Sequence, residues 1–142
     1  MDDAIPFPQL CDDFAFLDDW EDRYKYIIEL GRKIPAMPEN DKTDRTKVRG
    51  CASQVWLTTH VEDNKFKFEG DSDAHIVRGL IAVLFSIFKD KTAQEILETD
   101  AGAAFKKLGL ADHLTPQRSN GFASMVERIK NDARDHAAAT NA

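Results

Sequence analysis

A cysteine at the start of a β run is the residue in this sequence best suited to chemistry. Cys51 follows Gly50 and precedes an alternating stretch that begins near Ser53. Glycine permits a sharp or left-handed backbone, so the pair predicts a thiol at a loop tip on a rigid sheet. A thiolate there could attack a persulfide on a partner and become a persulfide itself. Free cysteines are also common as small buried hydrophobes, and these residues alone leave that interpretation open.

The residues close to Cys51 in the chain include a charged side chain, Arg49, and the second cysteine is distant in the sequence. A positive charge would favour the thiolate, but Arg49 is more typical of a solvated residue than of an activator. Cys11 lies 40 positions away, and neither a CxxC pair nor a Cys/His cluster is present. We therefore expect no zinc site and no structural disulfide. Cys11 is interpreted as packing on a first helix, with a resolving thiol as the weaker alternative.

Length and charge set limits on the class of protein. The chain has 142 residues, a net charge of −6 and a pI near 5.2. We expect one domain over residues 1–142, with residues 1–8 and 137–142 loose. The acidic balance argues against a nucleic-acid binder, which needs a basic face. Neither a run of ~20 apolar residues nor a basic leader is visible, so we expect no membrane association and a cytoplasmic location.

Periodicity predicts the elements that must position Cys51. Asp63-Asn64 indicates the turn of a hairpin, about Ser53–Glu62 paired with Lys65–Glu69. A short strand near Lys47–Arg49 would make a sheet of about three strands. The first predicted helix contains Leu10 to Leu17, the second runs from an Asp19 cap to Gly31, and the third runs from Ser72 or Asp73 to Phe88. A fourth helix starts at the Thr92/Glu95 capping box, a fifth covers Ala103–Leu108, and the last starts at Pro116. The helix to Phe88 is apolar on all sides, which indicates burial. The sum is α+β, an antiparallel sheet packed on helices.

Four segments resemble the SufE family of sulfur acceptors. Gly50–Trp56 (GCASQVW) is similar to its GCxSxVW signature, and Trp20–Gly31 to its WE(D/E)(K/R)Y…LG helix. Gly70–Leu80 resembles the GDSDA…IV(K/R)GL segment that leads into the central helix, and His113–Gly121 resembles LTPSRSNG. The four occur in the family's order and cover roughly residues 10 to 135. The resemblance is closer to SufE than to its paralogue CsdE, although the desulfurase paired with CsdE, CsdA, stays an open alternative partner.

The resemblance implies a fold shared with IscU-type scaffold proteins and a function in sulfur transfer. Cys51 would accept persulfide sulfur, with Arg118 near the thiol and Gly50 shaping the loop. Arg49, Asp73 and Trp56 would contribute to docking. The implied partners are a SufS-type cysteine desulfurase, which carries pyridoxal phosphate, and a SufBCD-type scaffold complex. The chain itself would bind no cofactor and no metal.

Two other functions stay open at this point. The protein could activate a desulfurase by contact alone, in which case the thiol would be dispensable. It could also be an iron–sulfur scaffold or metal-binding protein, as the IscU-like fold suggests, although scaffolds generally present several thiolates. We expect an accessory sulfur-transfer protein rather than a stand-alone enzyme.

Overall fold

The computed structural model describes residues 4–141 and has an α+β architecture, as the sequence predicts. Two strands form a hairpin in the middle of the chain, with two helices before it and four after it. Short 3₁₀ turns lie at Glu39–Asp41 and Leu110–Asp112. The elements are α1 (Phe7–Phe16), α2 (Trp20–Lys33), β1 (Val55–Glu62), β2 (Lys65–Ser72), α3 (His75–Phe88), α4 (Ala93–Glu98), α5 (Ala101–Lys107) and α6 (Pro116–Asn141).

The hairpin has the predicted turn and alternation. Asp63 and Asn64 both adopt positive φ, which suits a tight two-residue connection between antiparallel strands. Strand β1 pairs with β2 from Val55 opposite Ser72 to Glu62 opposite Lys65. One face carries its apolar side chains into the core. Strand β2 continues through Ser72, beyond the predicted end at Glu69.

The third strand expected near Lys47–Arg49 is wrong, and the sheet has two strands. Lys47 forms only an isolated bridge with Trp56. The Val48 N–H donates to Val55 O at 2.8 Å, and one further bond joins the Leu57 N–H to the chain at Thr46. The chain turns away on both sides of this contact, through a turn at residues 43–46 and through the left-handed Gly50, so the pairing cannot extend.

Helix α3 lies in the centre of the molecule, and every residue from Gly79 to Phe88 is buried. Helix α2 packs on it where two glycines meet. A Cβ on Gly31 would lie 2.5 Å from the Gly79 backbone nitrogen, so this crossing requires glycine. The prediction that Gly31 ends α2 is wrong, because the helix continues to Lys33 and Gly31 serves close approach instead.

Helix ends follow the predicted signals at most places. Asp19 caps α2 by accepting from the Glu21 N–H at 2.9 Å, and Thr92 with Glu95 forms a capping box on α4. The expected cap of α3 by Ser72 or Asp73 is wrong, because Ala74 occupies that position.

At the chain ends, the structure gives helix for part of each segment that the sequence marked as loose. Helix α1 begins at Phe7 and α6 continues to Asn141, while residues 1–3 and 142 lie outside the described part of the chain. No helix within residues 4–141 is long and apolar enough to cross a membrane.

Candidate functional site

A left-handed glycine shapes the loop that carries Cys51. Gly50 has φ +91°, a conformation that side chains rarely adopt. A Cβ at this position would lie 2.6 Å from the Ser124 Oγ on α6. Glycine is therefore required here both by backbone conformation and by the approach of the loop to α6.

The Cys51 thiol is half-buried against α6. Its Sγ lies 3.6 Å from the Gly121 carbonyl oxygen, a distance that suits a weak S–H donor. Gly121 has no side chain, and a Cβ there would sit 3.6 Å from the same sulfur. Burial raises the pKa of Cys51 above its ordinary value, so the resting group is a protonated thiol at neutral pH.

The thiol lines a pocket of about 190 Å³ between the loop, α3 and α6. The walls combine apolar side chains with a few polar groups at the start of α6. The lining residues are Cys51, Ala52, Ser53, Val77, Leu80, Thr115, Gln117, Arg118, Gly121 and Met125. The space could receive an additional sulfur atom on Cys51 without unpacking the core.

Arg118 lines the same pocket as Cys51 and is exposed to solvent. Its backbone N–H donates to Thr115 Oγ1 at 3.3 Å, within the first turn of α6. Burial is the cause of the raised pKa of Cys51, and the guanidinium does not offset it in this arrangement. The cation is therefore available to an anion that enters the pocket or leaves it.

Asp73 fastens the downstream end of the Cys51 loop. Its Oδ1 accepts from the Gln54 N–H at 3.1 Å, and its own N–H donates to Gln54 O at 3.4 Å. Asp73 is exposed and follows β2 directly. The loop is thus held at its downstream end by Asp73, and at its upstream end Gly50 lies close to Ser124 on α6.

The buried carboxylate of Asp71, two positions before Asp73, fixes the start of α3. Asp71 accepts from the Met37 N–H at 3.0 Å and from the Ser72 N–H at 2.8 Å. It also pairs with Arg78 at 3.1 Å and with Lys42 at 3.5 Å. Asp71 thereby joins the segment after α2 to the hairpin and α3. These contacts of Asp71 position Asp73, which lies two residues further along the chain.

The remaining predicted docking residues lie outside the thiol pocket. Trp56 is half-buried on β1, with Lys42 Nζ 4.9 Å from its ring centroid. Arg49 is exposed and lines a separate groove beside α6. The fold therefore brings Cys51 and Arg118 to one pocket, puts Gly50 and Asp73 at the loop ends, and leaves Arg49 and Trp56 apart from it.

Sequence reasoning missed the role of Gly121 and did not identify the residues that form the apolar walls of the pocket. A glycine inside a helix is a signal of close packing that could have identified Gly121. Cys11 is half-buried on α1, packs against the core and does not line the pocket. Both cysteines are free thiols. Within residues 4–141, no group of three His, Cys, Asp or Glu side chains could hold a metal ion.

Comparisons with known proteins agree on one family. The family model described as "SufE: Fe-S metabolism associated domain" matches residues 8–133. A SufE-like protein of Rhizobium meliloti is 57% identical over 129 residues, covering 88% of this chain and 92% of its own. A SufE-like protein of Rhizobium etli is 54% identical over 135 residues, covering 92% and 91%.

A solved structure shares the fold. The solution structure of a hypothetical protein from Thermus thermophilus superposes with a TM-score of 0.75 at 21% identity. The match covers 91% of this chain and 93% of the other. At this level of identity the likeness concerns the fold alone.

Proposed function

The chain belongs to the SufE family, whose domain is associated with Fe-S metabolism, and we propose that Cys51 is its sulfur acceptor. The donor would be the persulfide of a SufS-type cysteine desulfurase. The observation that carries the proposal is the position of the thiol. It lies at the tip of the loop after Gly50, half-buried in a small pocket and in weak contact with the Gly121 carbonyl oxygen.

The transfer needs one nucleophile and no net redox change. The Cys51 thiolate attacks the outer sulfur of the donor persulfide, and a new S–S bond forms on Cys51. The S–S bond of the donor breaks, and the donor cysteine leaves as a thiolate. The proton released by Cys51 passes to that thiolate or to solvent.

The raised pKa supports a loop that is inactive at rest and active when it is drawn out. Burial raises the pKa of the Cys51 thiol above its ordinary value and so lowers its thiolate fraction at rest. When the loop swings away from Gly121, that burial ends and the pKa falls toward its ordinary range. Docking would thus expose and activate the nucleophile in the same movement, and the pocket would shield it between cycles.

Arg118 supports the persulfide state. Arg118 is exposed and is one of the residues that line the pocket that would receive the terminal sulfur. A persulfide anion on Cys51 would gain a cation there that the resting thiol does not use. The chain supplies the acceptor thiol, and pyridoxal phosphate belongs to the desulfurase.

The association of the family's domain with Fe-S metabolism supports a further step for the accepted sulfur. We place delivery to a SufBCD-type scaffold complex after acceptance, in the cytoplasm, with this chain as an accessory to the desulfurase. A thiol that returns to a closed pocket suits such carriage between two larger partners.

Desulfurase turnover tests the proposal. Alanine release from cysteine is measured with the wild-type chain and with Cys51→Ser, Cys11→Ser serving as the matched control. We expect the wild type and Cys11→Ser to raise turnover equally and Cys51→Ser to raise it little, because acceptance clears the persulfide from the donor. Full stimulation by Cys51→Ser would instead favour activation by contact alone.

A further inference from the structure

A groove rich in basic side chains runs beside the Cys51 loop. It lies between the segment before the loop and one face of α6, and it is separate from the thiol pocket. Arg45, Lys47 and Arg49 border it on one side and Arg128 on the other. The chain as a whole carries a net charge of −6, so a concentration of cations here is a local departure from the overall charge.

The cations of the groove are largely unpaired. Within residues 4–141, Arg45, Lys47 and Arg49 form no ion pair with a carboxylate of the chain. The groove also contains two acidic side chains, Asp44 and Glu127, and Glu127 lies 3.8 Å from Arg134. The cationic side chains that line the groove therefore outnumber its carboxylates.

Arg128 holds the groove in shape rather than contributing a free charge. Its guanidinium donates to Lys47 O at 3.3 Å and to Arg45 O at 2.7 Å, and it pairs with Asp132 at 3.4 Å. These bonds tie the backbone of the basic segment to α6. The side chains of Arg45 and Arg49 consequently project from a fixed backbone and are exposed.

The groove and the thiol loop share a boundary. Arg49 precedes the left-handed Gly50, and Ser124, whose Oγ a Cβ on Gly50 would meet, also lines the groove. A chain bound in the groove would lie directly against the hinge of the Cys51 loop.

We propose that this groove binds an acidic surface segment of the desulfurase that supplies sulfur to Cys51. The inference rests on the proposed function and adds the chemistry of the partner surface. A wide groove with unpaired cations at its rim fits a carboxylate-bearing protein segment by charge, and such pairs mainly set the association rate and its salt dependence. Binding there would bring the donor persulfide to the loop and engage its hinge together.

Charge reversal tests the groove separately from sulfur transfer. Arg45→Glu/Arg49→Glu is compared with Lys25→Glu/Lys107→Glu, which makes the same change in charge at exposed positions on α2 and α5. Both pairs are made in a Cys51→Ser background, so that binding is read without chemistry. The probe is the purified cysteine desulfurase of the same genome, titrated at several salt concentrations.

We expect the groove variant to bind about tenfold more weakly or worse at low salt, with a shallower salt dependence, and the control to stay within about twofold of the Cys51→Ser parent. Equal affinity of the groove variant and the control would overturn the inference. So would a groove that binds inorganic phosphate while reversal leaves desulfurase binding unchanged. If wild-type Cys51 accepts no sulfur although the desulfurase binds, the proposed function fails and the groove result still stands.

Discussion

The sulfur of Cys51 and the carbonyl oxygen of Gly121 lie 3.6 Å apart, across a pocket between the loop and α6. The pair joins residues 70 positions apart in the chain. The contact is weak by the standards of hydrogen bonds, since a thiol is a poor donor. Other bonds must therefore hold the loop closed, and each of them can be tested.

Asp73 is the first of these. Asp73→Ala removes the carboxylate that accepts from the Gln54 N–H, so the loop should open more often. In a Cys11→Ser background we expect alkylation of Cys51 by iodoacetamide to accelerate several-fold, with little change in the free energy of unfolding because the site is exposed. Asp135→Ala, an exposed change on α6, is the control. Equal labelling rates for the two variants would show that Asp73 does not hold the loop.

Gly50 is the hinge at the other end. Gly50→Ala places a side chain at φ +91° and a Cβ against Ser124. We expect a loss of about 1–2 kcal/mol in the free energy of unfolding and a displaced loop with slower sulfur acceptance. Gly102→Ala on α5 is the matched control, because a Cβ there meets only ordinary contact at 3.4 Å. Urea denaturation measures both, and a Gly50→Ala variant as stable as the control would refute the role of the hinge.

Asp71 forms the buried contacts behind the Cys51 loop that join the segment after α2 to α3. Asp71→Asn leaves Arg78 and Lys42 without their carboxylate, and we expect about 3 kcal/mol of destabilisation, since the Asp71 side chain is buried. Glu29→Gln breaks the surface pair with Arg32 and should change stability by less than about 1 kcal/mol. Thermal unfolding compares the stability of the two variants. A similar loss of stability in both would contradict the structural role of the buried Asp71 contacts.

The pH dependence of Cys51 follows from its burial. The folded protein raises the pKa of this acid, so it holds the proton more tightly than the unfolded chain does. The resulting stability is fully present below the pKa of the unfolded thiol and is lost as pH rises through the pKa of the folded one. In Cys11→Ser, the alkylation rate of Cys51 should rise with a midpoint above that of the denatured protein. A midpoint at or below the denatured value would mean that the thiol is already activated at rest.

Features set by neighbouring residues in the chain were predictable from sequence. The Asp63-Asn64 turn, the Asp19 cap and the Thr92/Glu95 box each depend on residues a few positions apart, and the structure has all three. The buried helix α3 was visible because its apolar residues surround the axis.

The errors arise where distant segments decide the local structure. The residues around Gly31 in the sequence predict the end of a helix there. In the structure, glycine is required at this position because the backbone of Gly79 on α3 lies too close for a side chain. The segment near Lys47 resembles a strand, but bonds from Arg128 hold its backbone to α6. Periodicity carries no signal for such contacts.

The candidate site likewise combines features that depend on neighbouring residues in the chain with features that depend on distant ones. Cys51 stands out because glycine and a β run flank it, whereas its burial depends on Gly121 and the walls supplied by α3 and α6. Only the fold shows that the cations of Lys42 and Arg78 surround the buried Asp71 carboxylate.

The most direct test of sulfur acceptance by Cys51 is the mass of the protein after reaction. The chain is incubated with the cysteine desulfurase and free cysteine, and intact mass with peptide mapping is recorded without reductant. We expect one extra sulfur atom on Cys51, released by reductant, present in Cys11→Ser and absent in Cys51→Ser. A Cys51 that stays unmodified while desulfurase turnover rises would contradict its role as the acceptor.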